Sequence, residues 1–178
     1  MKKIFKIILV IGGLIHVPVT ALAEHEELPE LETVEYVDLN RYLGKWYDIA
    51  SIPQRFSKGC TNTTAEYALN PRGNISVLNT CVVDGDVSVA KGVAIVRDKV
   101  SNSKLDVQFF WPFKGKYWIM EIGDNYDYAL VGHPNRNYFW FLSRTPDVSD
   151  EFYNEVMLRV QQKYGYRLSK IEKVIHDK

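Results

Sequence analysis

The sequence predicts an all-β fold: an eight-stranded antiparallel up-and-down β-barrel, or calyx, with one C-terminal α-helix packed outside it. Three observations lead there. Between residues 46 and 143, eight short apolar runs follow one another, each closed by a turn signal. Aromatic residues make up 13% of the chain, with eleven Tyr, and these side chains suit a pleated, half-buried surface. From residue 149 the pattern changes once, to apolar residues at every fourth position. A meander of this kind is best closed on itself, because closure leaves few open sheet edges.

The N-terminus lies outside that pattern. Lys2, Lys3 and Lys6 precede an apolar run over 7–17, and Ala21-Leu22-Ala23 stands before Glu24. This order reads as a signal peptide over residues 1–23; the run is too short to span a bilayer and ends at Pro18. No Cys precedes Cys60, so the cleavage site lacks the cysteine that a lipoprotein needs for its anchor. The expectation is an exported protein, periplasmic or secreted, whose association with an outer membrane would not rest on a lipid anchor. Residues 24–37 are acidic and aperiodic, and read as a loose lead-in. Residues 38–178 form the one folded domain. Charges balance at 22 against 22 with a pI near 6.9, which excludes a nucleic-acid partner held by a basic excess.

Residues 38–43 resemble one short helical turn. Strands are predicted over 46–52, 62–69, 75–81, 87–96, 105–110, 117–122, 126–132 and 138–143. Turns fall between them at Asn70-Pro71-Arg72-Gly73-Asn74, 84–86, 98–103, 112–115, 123–125 and 133–137. Ser149, with Asp150 and Glu151 after it, starts the helix. Phe152, Val156, Val160 and Tyr164 form its apolar stripe, and Gly165 ends it. Residues 171–175 read as a ninth, short strand.

Two cysteines remain, Cys60 and Cys81, and an even count in an exported chain favours a disulfide. Such a bridge would add about 3 kcal/mol on the chain-entropy estimate. The hairpin between them brings Thr63 near Cys81, so a small offset would bring Cys60 into reach. The other reading is a nucleophilic or metal-binding thiol. A metal needs more ligands, and after the cleavage site only His25, His133 and His176 are present, none at ligand spacing. No metal and no cofactor are expected.

Alternation along the strands gives the barrel's inner face. With Trp46 pointing in, Asp48 and Ala50 follow. Gly92, Ala94 and Val96 share a face, as do Leu105, Val107 and Phe109, Ala129 and Val131, and Trp140 and Leu142. Tyr117 and Ile119 are further candidates for the ligand cavity. The mixture of small and large residues leaves room for one small ligand; the alternative is a solid aromatic core. Loops of a meander alternate between ends, so Gly44, Trp46, Asp124 and Arg144 are expected together at a closed end, with Arg144 over the Trp46 ring. The other end carries Arg55, Phe56 and the stretch FFWPFKG, in which Trp111 and Phe113 flank Pro112. These aromatics would gate the mouth, touch a membrane surface together with Lys114 and Lys116, or fold over as packing.

Three separated motifs resemble those of the lipocalin family, in its bacterial branch with apolipoprotein D-like relatives. The first is Asn40-Arg41-Tyr42-Leu43-Gly44-Lys45-Trp46-Tyr47. The second is Asp124-Asn125-Tyr126-Asp127-Tyr128-Ala129, in a degraded form, with Gly123 and Asn125 at two of the family's positions. The third is Leu142-Ser143-Arg144-Thr145-Pro146. The resemblance runs over about residues 38–175. It implies a calyx for small hydrophobic molecules, of the fatty acid or lysophospholipid class in that branch, with cavity positions at Tyr67, Asn79 and Trp140. The expected function is to bind and carry or store such a ligand in the bacterial cell envelope. The expected partners are one lipid and a transient membrane-surface contact, with the protein a monomer or weak homodimer. An enzyme is not expected: no Gly-x-Ser-x-Gly elbow occurs, and no His falls on the inner face. The alternatives are a lipid-modifying enzyme using the calyx, and a filled barrel serving protein contact.

Overall fold

The chain enters its barrel through one helical turn, α1 (Leu39–Tyr42), whose first amides are exposed to capping. Asp38 supplies the cap, accepting from the Asn40 amide at 2.9 Å. Eight strands follow: β1 (Gly44–Ser51), β2 (Thr61–Leu69), β3 (Ile75–Val83), β4 (Asp86–Val96), β5 (Lys104–Gln108), β6 (Gly115–Ile122), β7 (Tyr128–Gly132) and β8 (Phe139–Ser143). Helix α2 (Asp150–Gln162), a 3-10 turn at Leu168–Lys170 and β9 (Glu172–Lys173) complete the chain. The computed structural model describes residues 28–177. The signal-peptide reading of residues 1–23 lies outside the described residues.

Strands β2 to β8 pair consecutively, and β1 pairs with both β8 and β2, so the sheet closes into a barrel. Among the described residues no helix is long and apolar enough to cross a membrane. Strand β1 carries a bulge: its register against β8 shifts between Asp48 and Ala50. One extra residue reverses the alternation beyond that point. Trp46 and Asp48 therefore face in, as expected, but Ala50 does not. It pairs with Phe141 and joins Ile49 in the outer core under α2. Above the bulge the other edge of β1 passes from β2 to β9, through Ala50↔Lys173 and Ser51↔Glu172. The ninth strand is thus present but two residues long. Strand β7 starts at Tyr128 and not at residue 126, because Tyr126 is left-handed at φ 58° in the preceding turn.

Two apolar cores share the barrel wall. The inner core collects Trp46, Tyr67, Val77, Ala94, Leu105, Ile119, Val131 and Leu142. The outer core lies between the wall and α2, where Val156, Met157 and Val160 are buried against Met120, Leu130 and Phe141. The Ser149 side chain caps α2 by accepting from the Phe152 amide. Arg159 on its far turn pairs with Glu121 of β6 at 2.9 Å, and so fixes the helix along the wall.

The acidic segment before α1 is not loose over its described part. Leu31 is buried in the outer core and Val37 in the inner one. The Val34 amide donates to Ile119 and the Val37 amide to Ser101. Its acidic residues alternate with apolar ones that the barrel covers, which a composition reading does not register.

Candidate functional site: a calyx with a polar floor

The closed end is built from backbone carbonyls and one guanidinium. Trp46 is fully buried, and its indole N–H donates to the Tyr42 carbonyl at 2.8 Å. The Arg144 guanidinium lies 3.7 Å from the Trp46 ring centroid. It donates to the carbonyls of Arg41 at 2.7 Å, Lys45 at 2.8 Å and Leu43 at 3.0 Å, and to Tyr126 at 3.2 Å. Gly44 has φ +93°, a left-handed backbone that favours glycine, while a Cβ there would make only ordinary contact with Arg144 at 3.4 Å. Asp124 takes part through its carbonyl, which accepts from Arg41 at 2.9 Å. Gly44, Trp46, Asp124 and Arg144 therefore meet at one end.

Above them the walls carry the interior residues. Tyr67, Ala94, Tyr117, Ile119, Ala129 and Leu142 are buried in the inner core. Val107, Phe109 and Trp140 pack against that core but keep part of their surface open. These three are partly accessible where most of their inward-facing neighbours are buried. The Phe109 ring lies against Gly92, where a Cβ would come within 2.9 Å of it, so this glycine makes room for the ring. Asn79 sits opposite Ala65 and Ala90, on the same side of β3 as Val77. Its buried Oδ1 has no hydrogen-bond partner.

The lower interior is more polar than alternation alone suggests. Tyr117 shares hydrogen bonds with Tyr42 at 2.7 Å and Tyr67 at 2.9 Å. Burial pushes all three hydroxyls up, Tyr67 to about 12, so they stay neutral at ordinary pH. Rings run in contact from Tyr138 through Trp140, Tyr117, Tyr67 and Tyr42 down to Trp46, with centroids 5.0–6.2 Å apart. Asp48, one pleat above Trp46, is 5% exposed. Its Oδ1 has no partner. Burial raises its carboxyl from 3.8 to about 7, and only the Ser51 hydroxyl favours the charged form.

The interior also holds Tyr42 and Asp48, whose surroundings residue pattern does not reveal. Tyr42 lies on a helical turn, where strand alternation says nothing. Alternation puts Asp48 on the inner face but does not show that its buried oxygen lacks a partner.

At the other end, Cys60 and Cys81 are joined as a disulfide with their Cα atoms 5.5 Å apart. The bridge ties the loop between β1 and β2 to strand β3. That loop presents Arg55 and Phe56, and Phe56 is exposed. Trp111 and Phe113 are 86% and 77% exposed, with Phe110 beside them, so they do not fold over as packing. Lys116 does not join Lys114 at this surface; its ammonium lies 5.4 Å from the Trp118 ring. Among the described residues no group of His, Cys, Asp or Glu could hold a metal ion.

Comparison with known proteins agrees with this geometry. The Lipocalin-like domain model matches residues 37–176. The chain belongs to the lipocalin family. This lipocalin is 38% identical to temperature-induced lipocalin-1 of Arabidopsis thaliana over 156 residues, covering 83% of each chain. It is 39% identical to the outer membrane lipoprotein Blc of Escherichia coli K12, covering 77% of this chain and 78% of that one. Among solved structures, insecticyanin of the tobacco hornworm Manduca sexta superposes with a TM-score of 0.67 at 21% identity, over 85% of this chain and 87% of that one. That likeness speaks for the fold. Membership implies binding of a small hydrophobic ligand, and lipocalin homologues are typically carriers without enzymatic activity.

Proposed function

We propose that this lipocalin carries or stores a single-chain lipid, of the fatty acid or lysophospholipid class, in its calyx within the bacterial cell envelope, and that it is not an enzyme. The observation that carries the reading is the inner wall: Val107, Phe109 and Trp140 face in and remain partly accessible above a closed aromatic floor. Burying the acyl chain there contributes about 0.8 kcal/mol per CH₂. Export is supported by the disulfide and by the N-terminal pattern of charge, apolar run and small residues. A thiol-based reaction lacks its nucleophile. Both thiols are tied to each other, and His176 bonds the Asp48 carbonyl from outside the barrel.

Loading takes place at a membrane surface, through Phe56, Phe110, Trp111 and Phe113. Four exposed aromatics on two loops of one end are costly in water and suit the headgroup boundary, with Arg55, Lys58 and Lys114 beside them.

Titration with a fluorescent fatty acid, read as quenching of Trp emission, tests the calyx reading. A saturable, stoichiometric signal is expected, because Trp140 stands in the wall. No saturable signal with any acyl ligand would refute it.

A further inference from the structure

The floor of this calyx is the wrong chemistry for the tail end of a lipid. Asp48 is nine-tenths buried and more, on the inner face, with one oxygen that meets no donor. A buried polar atom without a partner costs free energy, and natural folds seldom leave one without a use. Asn79, two strands away on the same wall, presents a second unpartnered oxygen. Both are acceptors. A carboxylate or phosphate brought to Asp48 would meet a second acceptor, whereas a hydroxyl or ammonium can donate to its free oxygen.

The groups that face Asp48 sharpen this. From β2 comes Tyr67, whose hydroxyl is engaged with Tyr117, which in turn bonds Tyr42. From β8 come Leu142 and Trp140, and from β1 itself Ser51. His176 approaches from outside and bonds only the backbone carbonyl. Arg144 lies under the Trp46 ring, bonded to backbone carbonyls, and is not among the groups that set the Asp48 carboxyl. Among the described residues no cation therefore compensates the carboxyl inside the barrel.

We infer that Asp48 is a ligand-binding residue, and that the calyx prefers a lipid whose inner end carries a hydrogen-bond donor, a hydroxyl or an ammonium, which enters first and bonds Asp48. This rests on the reading of the calyx as a lipid site. It reverses the simplest orientation, in which an apolar tail reaches the floor and the polar group stays at the mouth. Its consequence for specificity is that a neutral or cationic single-chain amphiphile binds more tightly than an ester of the same length. Protonation adds a second consequence. Once Asp48 ionises, near neutrality, it favours the ammonium further, while a hydroxyl can bond either form.

The experiment compares dodecan-1-ol, dodecylamine and methyl dodecanoate, which lacks a donor, in displacement of a fluorescent fatty acid from the full mature chain. It uses the native protein, Asp48→Asn and Asp48→Leu, at pH 6 and pH 8.5. Native protein is expected to bind the alcohol about tenfold more tightly than the ester, the size of one hydrogen bond. Amine affinity is expected to rise about tenfold or more between the two pH values. Asp48→Asn should keep part of the alcohol preference and lose the pH dependence. Asp48→Leu should lose both and still bind the ester. Equal affinity for the three chains in native protein overturns the Asp48 assignment and leaves the calyx reading standing. A preference that survives in Asp48→Leu also overturns it. Displacement by none of the three chains overturns the Asp48 assignment, and failure of the probe itself to bind overturns both readings.

Discussion

Arg144 lies 3.7 Å from the centre of the Trp46 ring and holds that place through carbonyls on three separate segments, around residues 41–43, 45 and 126. One side chain thus joins the entering turn, the first strand and the turn before β7. Its contact with the ring is worth about 0.5–2 kcal/mol. The hydrogen bonds add to this, because the last carbonyls of a helical turn have no partner within the turn itself.

Replacing Arg144 should therefore unfold the barrel from its closed end. Arg144→Ala is expected to cost about 2–4 kcal/mol and to lower Tm by about 5–12 °C. Arg144→Lys should recover less than half, since an ammonium cannot spread its donors over several carbonyls in one plane. Affinity for a fluorescent fatty acid should change less than about twofold. Thermal unfolding and probe titration on the same samples check both statements. Lost affinity at unchanged Tm would mean that the ligand enters at the Arg144 end.

The disulfide acts at the opposite end. Cys60 and Cys81 are separated by 21 positions, and the bridge fixes the loop that presents Arg55 and Phe56. Substituting both by Ser is expected to cost about 3 kcal/mol on the chain-entropy estimate. The loop should also open locally, so trypsin should cut after Arg55 or Lys58 faster in the variant than in the native protein. Equal cutting at both sites would show that loop packing, and not the bridge, holds the mouth.

Much of this architecture could be read directly from residue pattern, and the failures have local causes. The eight strands follow from turn residues and short apolar runs, and their order closes into a barrel because each connection is too short to cross over. The helix start at Ser149 and the Arg144–Trp46 encounter were also legible, one from capping chemistry and one from counting loop ends. Ala50 was not, because a bulge is a register event set by the partner strand β8 and leaves no mark in β1 itself. The packing of Leu31 and Val37 was hidden by the acids between them. Tyr42 was hidden because it enters the barrel from a helical turn, below the strands whose alternation defines the inner face.

Asp48 makes stability depend on pH in an unusual direction for a carboxyl. Its folded pKa, about 7, lies above the ordinary 3.8, because burial disfavours the charge. Between these two values the folded state holds a proton that the unfolded chain has lost. Stability therefore falls as pH rises through this window. The cost at pH 8 is about 4 kcal/mol at most, from 1.36 kcal/mol per pH unit of that interval. Asp48→Asn should be more stable than the native protein at pH 8 and close to it at pH 4. Urea unfolding at the two pH values measures this. A variant equally stabilised at both would place the carboxyl's pKa outside the interval.

Trp111 and Phe113 stand in water at 86% and 77% exposure, although each would contribute about 1.5–3 kcal/mol if buried. A headgroup boundary covers such rings without a matching protein surface, and the nearby Lys114, Arg55 and Lys58 would add an attraction that salt weakens. Trp111→Ser with Phe113→Ser is expected to lower partition onto vesicles of mixed zwitterionic and anionic phospholipid at least about tenfold. Probe affinity in the calyx and Tm should stay unchanged, because neither ring packs on the barrel. Co-sedimentation with vesicles at low and high salt reads the first effect. If the double variant sediments like the native protein, the mouth does not dock on lipid. If it loses probe affinity instead, the two rings belong to the calyx rim, and their exposure in the free protein is the open state of a gate.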